Sequence, residues 1–90
     1  MEVEVRKPGE GELERRGILS WPVWTCGPST FDWFYGESET CYILEGRVTV
    51  ETDGGSVSFG PGDLVLFPAG LSCVWKVEEA VRKHYTFGPE

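Results

Sequence analysis

Along most of this chain apolar and polar residues alternate with a period of two, and glycine or proline breaks the alternation at short intervals. Period two puts successive side chains on opposite faces of a strand, so the pattern reads as short β-strands joined by turns. The clearest signal is RVTVETDGGSVSF, where two alternating runs flank Asp53-Gly54-Gly55 and predict a β-hairpin over 47–59. MEVEVRK alternates in the same way until Pro8-Gly9. GELERRG predicts one helical turn or a short helix between glycines, and no other stretch reads as helix. ILSWPVWTC is apolar, and Pro22 confines it to a sheet edge or a bulge. STFDWFY, TCYILEG, GDLVLFPAG, LSCVWKV and AVRKHYTF supply further strands, the last over 80–87.

Roughly eight short strands with so little helix predict an all-β sandwich or barrel. Open edges on so small a sheet favour closure, or edge pairing between subunits. No repeat, linker or low-complexity segment divides the chain, so residues 1–90 read as a single domain. The 40 % hydrophobic and 13 % aromatic content is enough for a packed core. Ninety residues is near the lower end of what folds alone, so a homodimer is expected.

Charge narrows the partners. Eight Lys and Arg against fifteen Asp and Glu give a net charge of −7, with no basic cluster, which argues against nucleic acid. No apolar run is long enough to span a bilayer, so no membrane is expected either. The charged start MEVEVRKPGEGE lacks the apolar core of a secretory signal, and the three cysteines form no CxxC pair. Reduced thiols and a cytoplasmic location are the resulting expectations.

Two spaced motifs then carry a family resemblance. Gly27, Trp33, Tyr35, Glu39 and Gly46 keep the spacing of the first cupin motif, G-x5-H-x-H-x3-E-x6-G, over 27–46. Gly62, Pro68 and Gly70 keep that of the second, G-x5-P-x-G-x2-H-x3-N, over 62–77, with Cys73 and Val77 in place of its His and Asn. The chain resembles the cupin family, which implies a small, jelly-roll-like β-barrel of antiparallel strands. ETCYILEG, GDLVLFPAGLSC and VRKHY are similar to the subgroup named for the ureidoglycine aminohydrolase cupin domain.

In metal-binding cupins three histidines and a glutamate hold a divalent ion inside the barrel. The matching positions here are Trp33, Tyr35, Glu39 and Cys73. Indole has no lone pair to give a metal and a neutral phenol is a poor ligand. No cofactor is therefore expected. A divalent metal would fall to Glu39 and Cys73, joined by His84 if the last strand were slipped by one residue.

The resemblance also implies which residues face inward: Trp33, Tyr35, Glu39, Cys41, Ile43, Cys73 and Trp75, with Tyr85 and Lys83 on the last strand and His84 outward. The aromatics either fill the barrel or form a stacking surface for a flat or sugar-like ligand. A buried Glu39 must pair with Lys83, accept hydrogen bonds from Tyr35 or Tyr85, bind a cation, or await a ligand. Cys41 and Cys73 are either small core residues or part of a soft metal site, and two adjacent thiols could also form a disulfide. Cys26 is incidental, and the lone His84 reads as a surface or interface residue. Trp21 and Trp24 are candidates for a dimer surface or a lid.

Three functions follow from these residues. The first is a cupin that binds a small molecule through Trp33, Tyr35, Cys41, Cys73 and Trp75. The alternative is an enzyme, a ureidoglycine-aminohydrolase-like hydrolase or another cupin enzyme. In it Glu39 acts as general base with Lys83 and Tyr85, or as ligand to a non-standard metal. The third is a solid barrel that acts only through its surface.

Overall fold

A computed structural model describes residues 2–88. Met1, at the head of the expected first strand, and Pro89 and Glu90 lie outside the described residues. The described elements are β1 (Glu4–Arg6), α1 (Glu12–Arg15), β2 (Val23–Cys26), β3 (Ser29–Phe34), β4 (Glu39–Thr52), β5 (Gly55–Phe59), β6 (Leu64–Phe67) and β7 (Ser72–Phe87), with one 3₁₀ turn at Ile18–Ser20. No described helix is long and apolar enough to cross a membrane.

Two long strands organise the molecule. β4 and β7 run antiparallel from the Glu39–Phe87 pair to the Glu51–Val74 pair. The first part of β4 pairs on its other edge with β6, and β6 with β1. The second part of β4 pairs with β5 through the expected Asp53-Gly54-Gly55 hairpin. β7 likewise takes β3 along its first part and β2 along its last. The result is two layers, β1-β6-β4-β7-β2 and β5-β4-β7-β3, which share the long strands. Phe67 of the first layer lies 6.1 Å from Phe59 and 5.7 Å from Trp75 of the second, so the core sits between the layers. This is the expected all-β, antiparallel architecture.

The long strands change layer at a bend. The β4–β7 register slips at Ile43/Glu45, Glu45/Arg47 and Arg47/Val48, and such bulges let a strand turn a corner. Buried positions on β4 accordingly switch from odd (Cys41, Ile43) to even (Val48, Val50). Gly46 sits at the bend with φ +97°, and a Cβ there would meet the Ala80 carbonyl and come within 2.7 Å of Val81 Cα. Only glycine satisfies both conditions.

Two expectations are corrected by these strands. TCYILEG and RVTV form one strand, as do LSCVWKV and AVRKHYTF, because β4 and β7 continue through the corner instead of turning back. Exposed Glu78, Glu79 and Ala80 imitate a loop in the sequence but form the outside of the bend. The 3₁₀ turn before Pro22 was not expected, whereas β2 does lie at a sheet edge, as Pro22 requires.

α1 fastens the amino-terminal segment. Glu12 accepts two hydrogen bonds from Arg6 (2.8 and 2.7 Å), one from Arg16 (2.8 Å) and one from the Gly9 N–H (2.8 Å). The Arg6 hydrogen bonds, then the Gly9 N–H and Arg16, hold its carboxyl well below the usual carboxylate range.

Candidate functional site

One end of the space between the layers is left open as a cavity of about 220 Å³. Strand parity selects its lining. Phe31 and Trp33 of β3 and the following Tyr35 share a face, as do Trp75, Lys83, Tyr85 and Phe87 of β7. β2 adds Trp24, which pairs in register with Lys83, and β4 adds Glu39. Seven aromatic rings thus surround one carboxylate and one amine.

The two charges meet at the inner end. Lys83 Nζ lies 3.0 Å from Glu39 Oε2, with the side chains 6 % and 5 % exposed. The same ammonium donates a second hydrogen bond to Cys41 Sγ at 3.9 Å. The ammonium also lies over two indoles, 4.6 Å from the ring centroid of Trp75 and 5.0 Å from that of Trp24. These rings meet at 81°, so they form a corner around the cation. Trp75 Nε1–H donates to the Tyr35 hydroxyl at 3.1 Å.

Other atoms face the cavity with open valences. No described residue donates to Glu39 Oε1 or bonds the Tyr85 hydroxyl. No described polar side-chain atom is sealed away without a partner, so both atoms reach the open space. Burial, reinforced by the Glu39 charge, pushes the Tyr35 phenol far above its ordinary value and keeps it a neutral donor. Burial pushes the Cys41 thiol up to about 12 despite the nearby Lys83, so it is no nucleophile at neutral pH. Cys73 is raised by burial and then by Glu39, and its Sγ–H donates to the Trp33 carbonyl at 3.7 Å. All three cysteines are free thiols, so the disulfide is not formed.

Five of the expected pocket residues line the cavity: Tyr35, Glu39, Trp75, Lys83 and Tyr85. Trp33 lines it too, but at the rim and 48 % exposed, because no strand beyond β3 covers it. Cys41 and Cys73 do not reach the cavity. Cys41 lies fully covered beneath the lysine chain, and Cys73 borders a shallow outer groove with Asp32 and Glu51. The last strand has Lys83 inward, and the slipped register that would bring His84 inside is not the one formed. His84 points away from the cavity yet is only 8 % exposed, a correction to its reading as a surface residue. The segment around the 3₁₀ turn covers it, and its Nδ1–H donates to the Trp21 carbonyl at 2.8 Å. Trp24, one of the two tryptophans expected at a dimer surface or a lid, lines the cavity. Trp24, Phe31 and Phe87 were missed as pocket residues. Phe31 and Phe87 share strand parity with Trp33 and Tyr85, a signal present in the sequence, whereas Trp24 is brought in by a pairing with a residue far along the chain.

A cupin metal does not fit these residues. The described residues contain no group of three His, Cys, Asp or Glu able to hold an ion. Glu39, the one carboxylate among the described lining residues, already has the Lys83 ammonium as its counter-charge.

Fold and cavity together define a small single-domain cupin whose interior is aromatic instead of histidine-lined. The chain belongs to the family of EutQ-like cupin domains, whose model matches residues 13–85. A protein of the DUF861 family from Thermotoga maritima is 49 % identical, covers 96 % of this chain and 99 % of its own, and superposes with a TM-score of 0.92. The Clostridium difficile EutQ protein is 28 % identical, with a TM-score of 0.69 over 74 % of this chain and 53 % of its own. Among curated proteins, an acetate kinase EutQ from Clostridioides difficile (strain 630) is 31 % identical over 61 residues, 68 % of this chain. The chain spans only 39 % of that relative's length. A cupin superfamily protein from Desulfitobacterium hafniense, 13 % identical with a TM-score of 0.59, shares the fold alone.

Proposed function

We propose that this cupin binds a small molecule in the aromatic cavity, with the Glu39–Lys83 pair as its polar anchor and no metal taking part. One observation carries the reading: a buried ion pair whose Glu39 Oε1, unpartnered among the described residues, opens into an aromatic cavity. A solid barrel would close over that atom. The cavity of about 220 Å³ lies below the range of drug-sized sites, which suits a ligand on the order of ten non-hydrogen atoms.

The enzyme alternatives have less support. The curated relative is named an acetate kinase. Phosphoryl transfer calls for cations or a helix N-terminus aimed at phosphate. The cavity's cation among the described residues is held by Glu39, and α1 is four residues long. A cupin hydrolase that works through a divalent ion would need a ligand set, and among the described residues no group of three His, Cys, Asp or Glu is placed to hold one.

A fragment screen on nitrogen-15-labelled protein tests the binding reading through the indole N–H signals. Ligands should move those of Trp24, Trp33 and Trp75, leave that of Trp21 in place, and bind equally well with a chelator present. A broad library that moves none of the three, or binding that disappears with the chelator, refutes it.

A further inference from the structure

We infer that the cavity is built for a flat, uncharged ring that carries a lactam edge, its N–H donated to Glu39 Oε1 and its C=O accepting from Lys83 Nζ. The inference rests on the binding reading above and narrows its ligand class.

Charge comes first. Glu39 and Lys83 sum to zero inside an aromatic wall, so a charged ligand would bring an uncompensated charge into an apolar space. A cation meets a further obstacle. Two indoles beside a carboxylate would ordinarily receive an organic ammonium. Here that corner is already filled by Lys83, 4.6 and 5.0 Å from the two ring centroids. A second cation would be repelled from the faces that should attract it. An anion would have to share Lys83 with Glu39, whose Oε2 is 3.0 Å from the ammonium, and would lie against that carboxylate.

The polar atoms then fix the edge. Glu39 Oε1 is an acceptor without a partner among the described residues. The ammonium has three N–H groups, of which one is directed to Glu39 Oε2 and one to Cys41 Sγ. The floor therefore offers an acceptor beside a remaining donor. A cis amide in a ring presents the complement, N–H beside C=O in one plane, and can engage both at once. The rings of Trp24, Phe31, Trp33, Tyr35 and Trp75 supply flat surfaces for such a ligand to stack on. A flexible chain would bury comparable area but would lose more freedom on binding.

Four probes of matched shape separate the classes on labelled, chelator-treated protein: quinolin-2-one, its N-methyl derivative, quinoline-2-carboxylate and N-methylquinolinium. Quinolin-2-one should move the Trp24, Trp33 and Trp75 indole signals and spare Trp21. N-methylation removes one hydrogen bond to a charged acceptor and should weaken binding by about tenfold or more. The carboxylate and the quinolinium should bind at least tenfold more weakly than the lactam. In Glu39→Gln the preference for N–H over N-methyl should fall to within about threefold. If that variant fails to fold, the four-probe ranking on the native protein decides alone. N-methylation without effect, or tighter binding of either ion, overturns the lactam inference and leaves the binding reading standing. No shift from any of the four also overturns it, and the fragment screen then judges the binding reading by itself.

Discussion

Replacing Lys83 with methionine removes the ammonium from beside Glu39 while keeping a side chain of similar length. At 3.0 Å and an effective dielectric constant near 20, the pair's attraction is about 5.5 kcal/mol. Taking two ions out of water costs several kcal/mol each, so the intact pair contributes little net stability. Removing one partner is different, because the other stays buried and uncompensated, at about 3–5 kcal/mol. The open cavity lets water reach Glu39 Oε1, which favours the lower end of that range.

The two indoles make the effect asymmetric. In Glu39→Gln the ammonium still lies over Trp24 and Trp75. In Lys83→Met the carboxylate loses its counter-charge, and cation–π attraction of about 0.5–2 kcal/mol per ring is lost as well. Lys83→Met should therefore be the costlier change by roughly 1–4 kcal/mol, and Glu39→Leu/Lys83→Met should return to within about 1 kcal/mol of the native protein. Urea unfolding followed by tryptophan fluorescence reads this directly. With a slope on the order of 1 kcal/mol per molar urea, a loss of about 3 kcal/mol lowers the midpoint by about 3 M. A Lys83→Met cost below about 1 kcal/mol would show that cavity water solvates the pair. Glu39→Gln proving the costlier of the two would refute the role given to the indoles.

Two further predictions concern the frame around the site. Gly46→Ala should destabilise by roughly 2–5 kcal/mol, combining a disfavoured positive φ with overpacking against β7. Gly36→Ala, where a Cβ meets nothing within 4 Å, should stay within about 0.5 kcal/mol in the same urea assay; equal costs would remove the corner argument. The second is a pH dependence. The Glu12 carboxyl is lowered by Arg6, the Gly9 N–H and Arg16, and that of Asp63 is lowered because hydrogen bonds from Lys7 and the Gly60 N–H outweigh its burial. A depressed folded value means stability present above the unfolded value near 4.3 and lost as pH falls below it. The urea midpoint should therefore drop from about pH 4.3 downward, less steeply in Glu12→Gln; an unchanged acid limb in that variant would exclude Glu12 as its source.

Local signals in the chain reached the hairpin, the short helix and the edge position of β2, because turn chemistry and proline act within a few residues. The corner was legible only in part. Buried parity on β4 flips across Glu45-Gly46-Arg47 while the alternation itself continues, which marks a bulge and not a loop. On β7 the parity never flips, so Cys73, Trp75, Val77, Val81 and Lys83 all lie on one face. That continuity alone would have placed Lys83 inward and His84 outward. The covering of His84 by the 3₁₀ turn and the arrival of Trp24 beside Lys83 depend on contacts across some sixty positions, beyond any local pattern.

The same long-range contact changes how the missing histidines are understood. Read one motif at a time, Trp33, Tyr35 and Cys73 look like the loss of a site, and Glu39 like a remnant of it. A buried carboxylate cannot simply be left behind, because without a counter-charge it destabilises the core. Lys83, beyond both motifs but on the strand that carries Cys73, supplies that charge at 3.0 Å, and Trp24 and Trp75 hold the ammonium in place. The glutamate, the lysine and the two indoles are thus one arrangement in which an internal cation does electrostatically what a metal would have done. An ammonium offers no open coordination position, only hydrogen bonds. On the proposed reading, the pocket recognises a ligand's edge and does not polarise one of its bonds.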